Sequence, residues 1–468
     1  MRRSTIAALL ALPVAAAVWA MGSTDNPGTP APAIPLSQSQ ITLSFAPVVQ
    51  ATAPAVVNIF TTTLVQRPSP FADDPFFQQL FQGAGRPQLQ NALGSGVVVG
   101  ADGLVLTNNH VIDGATQIRV VLHDRREYPA QVLLADPDLD LAVLRLTGAQ
   151  DLPALKLDDS DALHVGDLVL AIGNPFGVGQ TVSSGIVSGL ARSALQVGNG
   201  RGYFIQTDAP INPGNSGGAL VDMAGGLIGL NTAILTQGGG SEGIGFAIPS
   251  NIAAAFLAQA RAGATHFVRP WAGMTAQEID AAMADSLGLP LPEGIIVTRL
   301  ARQSPFAAAG LAEGDVILTL GGAPVNTPQE MNYRLAILGQ GARVQVAWLH
   351  DGQPAEAQVT LAPPPEDPPR DTLTVTENVI LRGATLSRIN PAVAAEMNLP
   401  PDAAGVVVVS ADDYAARIGL QPGDILQAIN RVAIDTPQAA LKATRQRIGL
   451  WQFDLIRHGQ PLRLRFRL

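Results

Sequence analysis

The chain has 468 residues, more than one hydrophobic core usually serves, so two to four domains are expected. Its 47% hydrophobic and 14% charged residues describe folded protein, and 47 glycines and 36 prolines beside 5% aromatics favour short strands and many turns. A formal charge of −9 argues against non-specific binding to nucleic acid or anionic membranes, and the absence of cysteine removes disulfides, thiol catalysis and cysteine-based metal sites.

Residues 1–20 have the pattern of an export signal. Arg2 and Arg3 lead an apolar run, Ile6 to Trp19, that ends at the small residue Ala20. The alternative, an uncleaved inner-membrane anchor, falls short of the roughly 20 residues a spanning helix needs. Residues 21–40 form a linker rich in Pro, Ser, Thr and Ala. From Ile41 short β-like runs follow, among them Val56 to Phe60, Gly96 to Val99, Leu104 to Leu106, Ile118 to Leu122 and Leu141 to Leu144. Asp102-Gly103 between two of them signals a hairpin. An all-β barrel or sandwich up to about Ile248 is expected, closed by a helix with Ser250 as N-cap and Asn251 to Arg261 as its body. Arg67 to Gln88 interrupts the strands with Phe71, Phe76, Phe77 and Phe81, either a loop docked on its own domain or a lid or subunit contact.

The last 200 residues hold an internal repeat. Ala309-Gly310-Leu311-Ala312-Glu313-Gly314-Asp315-Val316-Ile317 returns as Ile418-Gly419-Leu420-Gln421-Pro422-Gly423-Asp424-Ile425-Leu426. Two copies of one module are expected, 265–362 and 372–468, joined by a stiff proline-rich linker over 363–371.

Three segments carry chemistry. In Asn212-Pro213-Gly214-Asn215-Ser216-Gly217-Gly218 the glycines permit a tight turn that exposes a serine hydroxyl, with the N–H groups of Gly214, Asn215 and Ser216 as candidate oxyanion donors. His110, where a β-run ends, is the candidate base, and Asp136, Asp138 and Asp140 are all available as the orienting carboxylate. The order His, Asp, Ser on a β-rich scaffold is that of chymotrypsin-like double barrels. The six histidines show no metal-ligand spacing, so no zinc site is expected.

Thr107-Asn108-Asn109-His110-Val111-Ile112, Asp140-Leu141-Ala142-Val143-Leu144 and Asp208 to Gly218 resemble the three catalytic signatures of the HtrA/DegP-like (Do-type) serine proteases. Gly94 to Val97, Ala171 to Gly177 and Gly243 to Pro249 also match that family's protease domain, and the repeats resemble its two PDZ domains. The resemblance implies a mainly β protein: a chymotrypsin-like double β-barrel over 41–262, then two PDZ domains. It implies a serine endopeptidase with Ser216 as nucleophile, His110 as general base and Asp140 as orienting carboxylate, without metal or cofactor. It further implies Ile234 and Leu235 as walls of the specificity pocket, Arg192 as a sensor-loop residue, and Trp271-Ala272-Gly273-Met274 as the carboxylate loop of the first PDZ domain. The corresponding loop of the second, Arg382-Gly383-Ala384-Thr385-Leu386, departs further from the family form, and Pro210 stands where alanine is usual. Implied partners are unfolded polypeptides, exposed C-terminal peptides and sister chains, in a homotrimer built through about Leu43 to Val49 or in larger cages. The implied role is degradation of unfolded exported proteins in the periplasm, controlled by peptide at the first PDZ domain. A chaperone or scaffold with a silent protease domain is the competing function.

Overall fold

Short runs of Val, Leu and Ile between glycine turns fold into strands, which close into barrels in the first half of the chain and form open sheets in the second. The structure, a computed structural model, describes residues 44–65, 88–174, 179–192, 196–197, 200–212, 214–234, 242–397, 399–400, 403–445 and 449–467. The export signal, the linker to residue 40, most of the phenylalanine-bearing insertion and Leu235 lie outside the described residues.

The first six strands are β1 (Val56–Val65), β2 (Gln88–Gly100), β3 (Leu104–Thr107), β4 (Gln117–Val121), β5 (Glu127–Asp136) and β6 (Leu141–Leu146). They close into an antiparallel barrel in the order β1-β2-β3-β6-β5-β4. All four residues of β3 are buried, as are Leu141, Ala142, Val143 and Leu144 of β6. A Leu, Ile or Val side chain so enclosed contributes about 1.5–3 kcal/mol, so these strands anchor whatever lies at their ends. The expected turn at Asp102-Gly103 is present, with Gly103 at φ 88 and its N–H donating to the Gly100 carbonyl.

A second set follows: β7 (Leu168–Gly173), β8 (Thr181–Arg192), the short pair β9 (Gln196–Val197) and β10 (Gly200–Arg201), then β11 (Phe204–Thr207), β12 (Ala219–Val221), β13 (Leu227–Ile234) and β14 (Gly245–Pro249). Apart from the β9–β10 ribbon these strands close a second barrel, β11-β14-β13-β12-β7-β8. The helix Ser250–Arg261 packs across the first-barrel core through Ile252, Ala253, Phe256 and Leu257. Its N-cap is Pro249 rather than the expected Ser250, because the buried Ser250 hydroxyl donates instead to the Asp158 carbonyl.

The repeat folds twice. The first copy is a sheet of β15 (Met274–Glu278), β16 (Ile295–Leu300), β17 (Val316–Leu320), β18 (Ala323–Pro324), β19 (Arg343–His350) and β20 (Gln353–Thr360), flanked by the helix Pro328–Leu338. The second has β21 (Leu373–Thr374), β22 (Ala384–Arg388), β23 (Val406–Ala411), β24 (Ile425–Ile429), β25 (Val432–Ala433), β26 (Leu450–Arg457) and β27 (Gln460–Arg467), with the helix Pro437–Thr444. In both, a threonine N-cap precedes a proline at the first helical position: Thr327 accepts from Glu330 N–H and Thr436 from Ala439 N–H. Phe45–Leu468 is one compact unit. Within it Tyr333 and Ala336 of the first module are buried in the same core as the helix Ser250–Arg261. Tyr333 stacks on Tyr203 at 4.1 Å and its hydroxyl donates to Asp161 at 2.9 Å, while Arg334 pairs with the same carboxylate.

Candidate active site

The two barrels bring their ends together around three side chains. His110 sits in the single helical turn Asn109–Ile112 that follows β3, held down by the buried Val111 and Ile112. Asp140 ends the turn between β5 and β6 at φ 52, a left-handed conformation that aspartate tolerates better than most residues. Its carboxylate lies 2.9 and 2.8 Å from His110 Nδ1, and it also accepts from the His110 N–H at 3.0 Å. Asn108 Nδ2 donates to the Asp140 carbonyl at 2.9 Å, closing a short circuit between the two segments. With a carboxylate on Nδ1, that nitrogen carries the proton and Nε2 is left as the basic atom.

Of the three aspartates available in sequence, only Asp140 reaches the imidazole. Asp136 accepts from the N–H groups of Asp138 and Leu139, both at 2.9 Å, and so shapes the turn that presents Asp140. Its carboxylate also receives Arg269 Nη2 at 3.2 and 3.3 Å, a contact from the segment that leads into the first module. Asp138 stands beside it; burial, with the Asp136 charge, pushes its carboxyl above the ordinary value.

Ser216 comes from the second barrel and is pressed onto the first. The Ser216 carbonyl accepts from Ser95 N–H at 2.9 Å, and the Ser95 hydroxyl donates to the Gly214 carbonyl at 2.6 Å. Gly217, at φ 80, passes so close that a Cβ would lie 2.2 Å from the Ser95 carbonyl oxygen and 2.4 Å from Thr107 Oγ1. No other residue fits there without moving β2 or β3. The Asn215 N–H donates to the Asn212 carbonyl at 2.9 Å, so of the three candidate oxyanion donors it is engaged within the turn. Among the described residues none accepts from the N–H groups of Gly214 or Ser216.

Two residues that the sequence reading did not assign complete the site. Thr232 sits at a register shift between Asn231 and Ala233, where β13 pairs with β14. A bulge re-aims the residue it displaces. Here the Thr232 hydroxyl donates to Asp140 Oδ2 at 2.7 Å while its carbonyl accepts the Ser216 hydroxyl at 3.2 Å. Ser95 is the second, bracing Gly214 and also accepting from Asn174 N–H at 2.9 Å. No local pattern announces either role, since both depend on strands distant in sequence.

Ile234 ends β13 with its backbone paired to Gly245 and Arg192 ends β8 paired to Phe204; their side chains lie outside the described residues, as does all of Leu235. Pro210 follows the buried Ala209, and its carbonyl accepts the Ser183 hydroxyl at 2.6 Å. In the loop ahead of β15, the Ala272 carbonyl accepts the Ser304 hydroxyl at 2.6 Å and the Gly273 carbonyl accepts Ala301 N–H at 2.7 Å. Gly273 has φ 63 and lies against the Trp271 ring. Beside this loop is a cavity of about 1410 Å³ lined by Trp271, Met274, Thr275, Asn332, Tyr333 and Ala336, among others.

Comparison with known proteins agrees with this architecture. Residues 94–230 match the family described as a trypsin-like peptidase domain, and 273–361 match the PDZ domain. The chain is 37% identical over 433 residues to the periplasmic pH-dependent serine endoprotease DegQ of Escherichia coli (strain K12), covering 91% of each chain. It is 38% identical over 418 residues to the periplasmic serine endoprotease DegP of the same organism, covering 84% of this chain and 85% of that one. Among solved structures, the HtrA-type protease AlgW with decapeptide matches 69% of this chain and 99% of its own at 42% identity and a TM-score of 0.52. A double barrel with a histidine, an aspartate and a serine at its seam, followed by PDZ modules, places this chain in the HtrA/DegP-like (Do-type) family of serine endoproteases.

Proposed function

We propose that Ser216 is the nucleophile, His110 the general base and Asp140 the orienting carboxylate of an endopeptidase that cuts unfolded exported proteins in the periplasm. The observation that carries the reading is the His110–Asp140 contact, 2.8 Å between Nδ1 and Oδ2, beside a serine from the opposite barrel. As a peptide carbonyl enters, the Ser216 hydroxyl turns from Thr232 towards His110 Nε2, gives up its proton there and attacks the carbonyl carbon. Catalytic hydrogen bonds that are long or misaligned in an unliganded site commonly tighten in this way. The N–H groups of Gly214 and Ser216 receive the developing oxyanion, and the imidazolium, held by Asp140, returns its proton to the leaving amine. Water then repeats the cycle on the acyl-serine, with His110 as base again. Ile234 and Leu235 would bound the pocket for the side chain before the cut.

Control by peptide belongs to the same proposal. A C-terminal peptide adds to the edge of β15 with its carboxylate on the Trp271-Ala272-Gly273-Met274 loop, and Arg192 reports its presence to the active-site loops. DegQ and DegP are periplasmic by description, and AlgW is known with a decapeptide; both facts support the reading. Chains assemble as trimers through about Leu43 to Val49, with chaperone activity as a second capacity of the same particles. Casein digestion by the wild type and by Ser216→Ala tests the reading: the alanine variant should be inactive, and equal digestion by both would refute it. Removing everything beyond about Arg370 should leave basal cleavage intact, whereas removal from about Thr265 should abolish stimulation by peptide.

A further inference from the structure

The two modules repeat in sequence but differ at the edge of the sheet where a PDZ domain takes its ligand. In the first, the order is β15-β16-β17-β19-β20, so β15 pairs only with β16 and its outer edge is open. The chain ahead of it runs elsewhere: Trp271 N–H donates to the Ala362 carbonyl at 2.8 Å. Among the described residues none accepts from the N–H groups of Ala272 or Gly273, the donors a terminal carboxylate would meet.

In the second module the matching strand is β22, and its outer edge is taken by β21. The pairing is antiparallel, Leu373 opposite Leu386 and Thr374 opposite Thr385, which is the geometry of an added ligand strand. Val375 N–H donates to the Ala384 carbonyl at 2.8 Å, and Gly383 N–H donates back to the Val375 carbonyl at 2.9 Å. The loop's other donors are engaged as well: Arg382 N–H with the Val379 carbonyl at 3.0 Å and Ala384 N–H with the Leu381 carbonyl at 2.9 Å. Apolar side chains of the same segment fill the core. Val375, Ile380 and Leu381 are 2%, 5% and 0% exposed, packed in one cluster with Leu386 of β22 and Ala440 of the helix Pro437–Thr444. Just past that helix, Arg445 clasps Glu377 through two hydrogen bonds of 3.0 and 2.7 Å. Strand edge, carboxylate donors and apolar groove are thus all occupied from within the chain.

We infer that the second module carries its own ligand: Leu373 to Leu381 stands where a peptide terminus would bind, so C-terminal peptides engage each chain at the first module alone. The second half of that statement rests on the proposed peptide site at Trp271 to Met274; the first does not. Displacing the segment would expose Val375, Ile380 and Leu381 and break the Glu377–Arg445 clasp, which a short peptide of similar composition does not repay.

Hydrogen exchange on the full chain, with and without a decapeptide ending in Val-Val-Leu with a free carboxylate, separates the two claims. Without peptide, amides over 383–388 that do not pair with β23 should exchange at least about tenfold more slowly than those over 273–278 that do not pair with β16. With peptide, protection should rise over 273–278 only, and titration should saturate at one peptide per chain. Exchange over 383–388 as fast as over 273–278, added protection there with peptide, or two peptides per chain would overturn the inference. If the peptide protects neither strand, the proposed site at the first module fails, while slow exchange over 383–388 still supports the internal ligand.

Discussion

The hydroxyl of Ser216 donates to the carbonyl oxygen of Thr232 at 3.2 Å, and the Thr232 hydroxyl donates onward to Asp140 at 2.7 Å. One bulged residue therefore touches both ends of the proposed catalytic set. A hydrogen bond to a charged group contributes about 1.5–3 kcal/mol, equivalent to roughly 10–100-fold in rate if it acts on the transition state. Thr232→Val should lower kcat by that order with KM little changed, and Thr232→Ser should restore most of it. Steady-state cleavage of a chromogenic peptide checks both variants. An unchanged kcat in the valine variant would remove Thr232 from the site.

The turn that presents Asp140 is tied to the segment entering the first PDZ module by Arg269 and Asp136, 3.2 Å apart. Asp136 is largely buried, so removing its partner leaves a carboxylate short of compensation. Arg269→Gln and Asp136→Asn should each lower kcat/KM, and the double variant should do little more harm than either alone. A double-mutant cycle measures this coupling; strict additivity would mean that the two residues act separately.

The repeats also differ at one buried aspartate. Asp315 faces His350 at 2.7 Å in the first module, whereas Asp424 faces Arg457 at 2.7 Å in the second. The Asp315 hydrogen bond and charge raise the His350 pKa above its ordinary value, with the more distant Asp351 charge, 4.0 Å away, acting in the same sense. A raised histidine adds stability that is complete below about pH 6.5, its unfolded value, and is lost as pH rises through the folded value. The first module should therefore loosen from mildly acidic to alkaline pH while the second does not. Exchange rates over 301–320 and 410–430 across that range check this, and His350→Arg should flatten the first profile. Because the imidazole is about half exposed, the effect is modest.

Docking of the first module on the protease rests on Tyr333, which is 5% exposed, stacked on Tyr203 and bonded to Asp161. Burial, more than the neighbouring Asp161 charge, pushes its hydroxyl well above the ordinary tyrosine value, so it remains a donor throughout the working range. Tyr333→Phe should cost about 1–3 kcal/mol by leaving the contact unmade, and Tyr333→Ala about 3–5 kcal/mol through the cavity. Denaturant unfolding of both variants gives the comparison; equal stabilities would contradict the docking role.

Much of this architecture is legible in sequence because it is local. Leu104 to Leu106 and Leu141 to Leu144 announce buried strands by composition, Asp102-Gly103 announces a turn, and the returning Gly-Asp pattern at Asp315 and Asp424 announces the repeat. The tight turn at Ser216 is also readable, since Gly217 is demanded by a contact of 2.2 Å that its own sequence pattern reflects. What is not legible depends on chain distant in sequence. The residues themselves leave Asp136, Asp138 and Asp140 equal; only the family resemblance prefers Asp140, and the physical reason is the β5–β6 turn set against His110. Thr232 needs a bulge, and Ser95 needs the second barrel pressed on the first. Ser250 looks like a cap but is drawn inward by the Asp158 carbonyl. Pairing of Leu373 with Leu386 is not legible either, because the repeat announces two like modules and no local pattern says that the second covers its own sheet edge.

The central claim is that Ser216 is the nucleophile, and covalent labelling tests it most directly. Incubation with a fluorophosphonate, followed by mass mapping, should place a single phosphonyl adduct on Ser216, with loss of casein cleavage in step with labelling. Ser216→Ala should take up no label, and His110→Ala should label far more slowly. An adduct on another residue that accompanies inactivation, or full casein cleavage by a chain labelled at Ser216, would contradict the account.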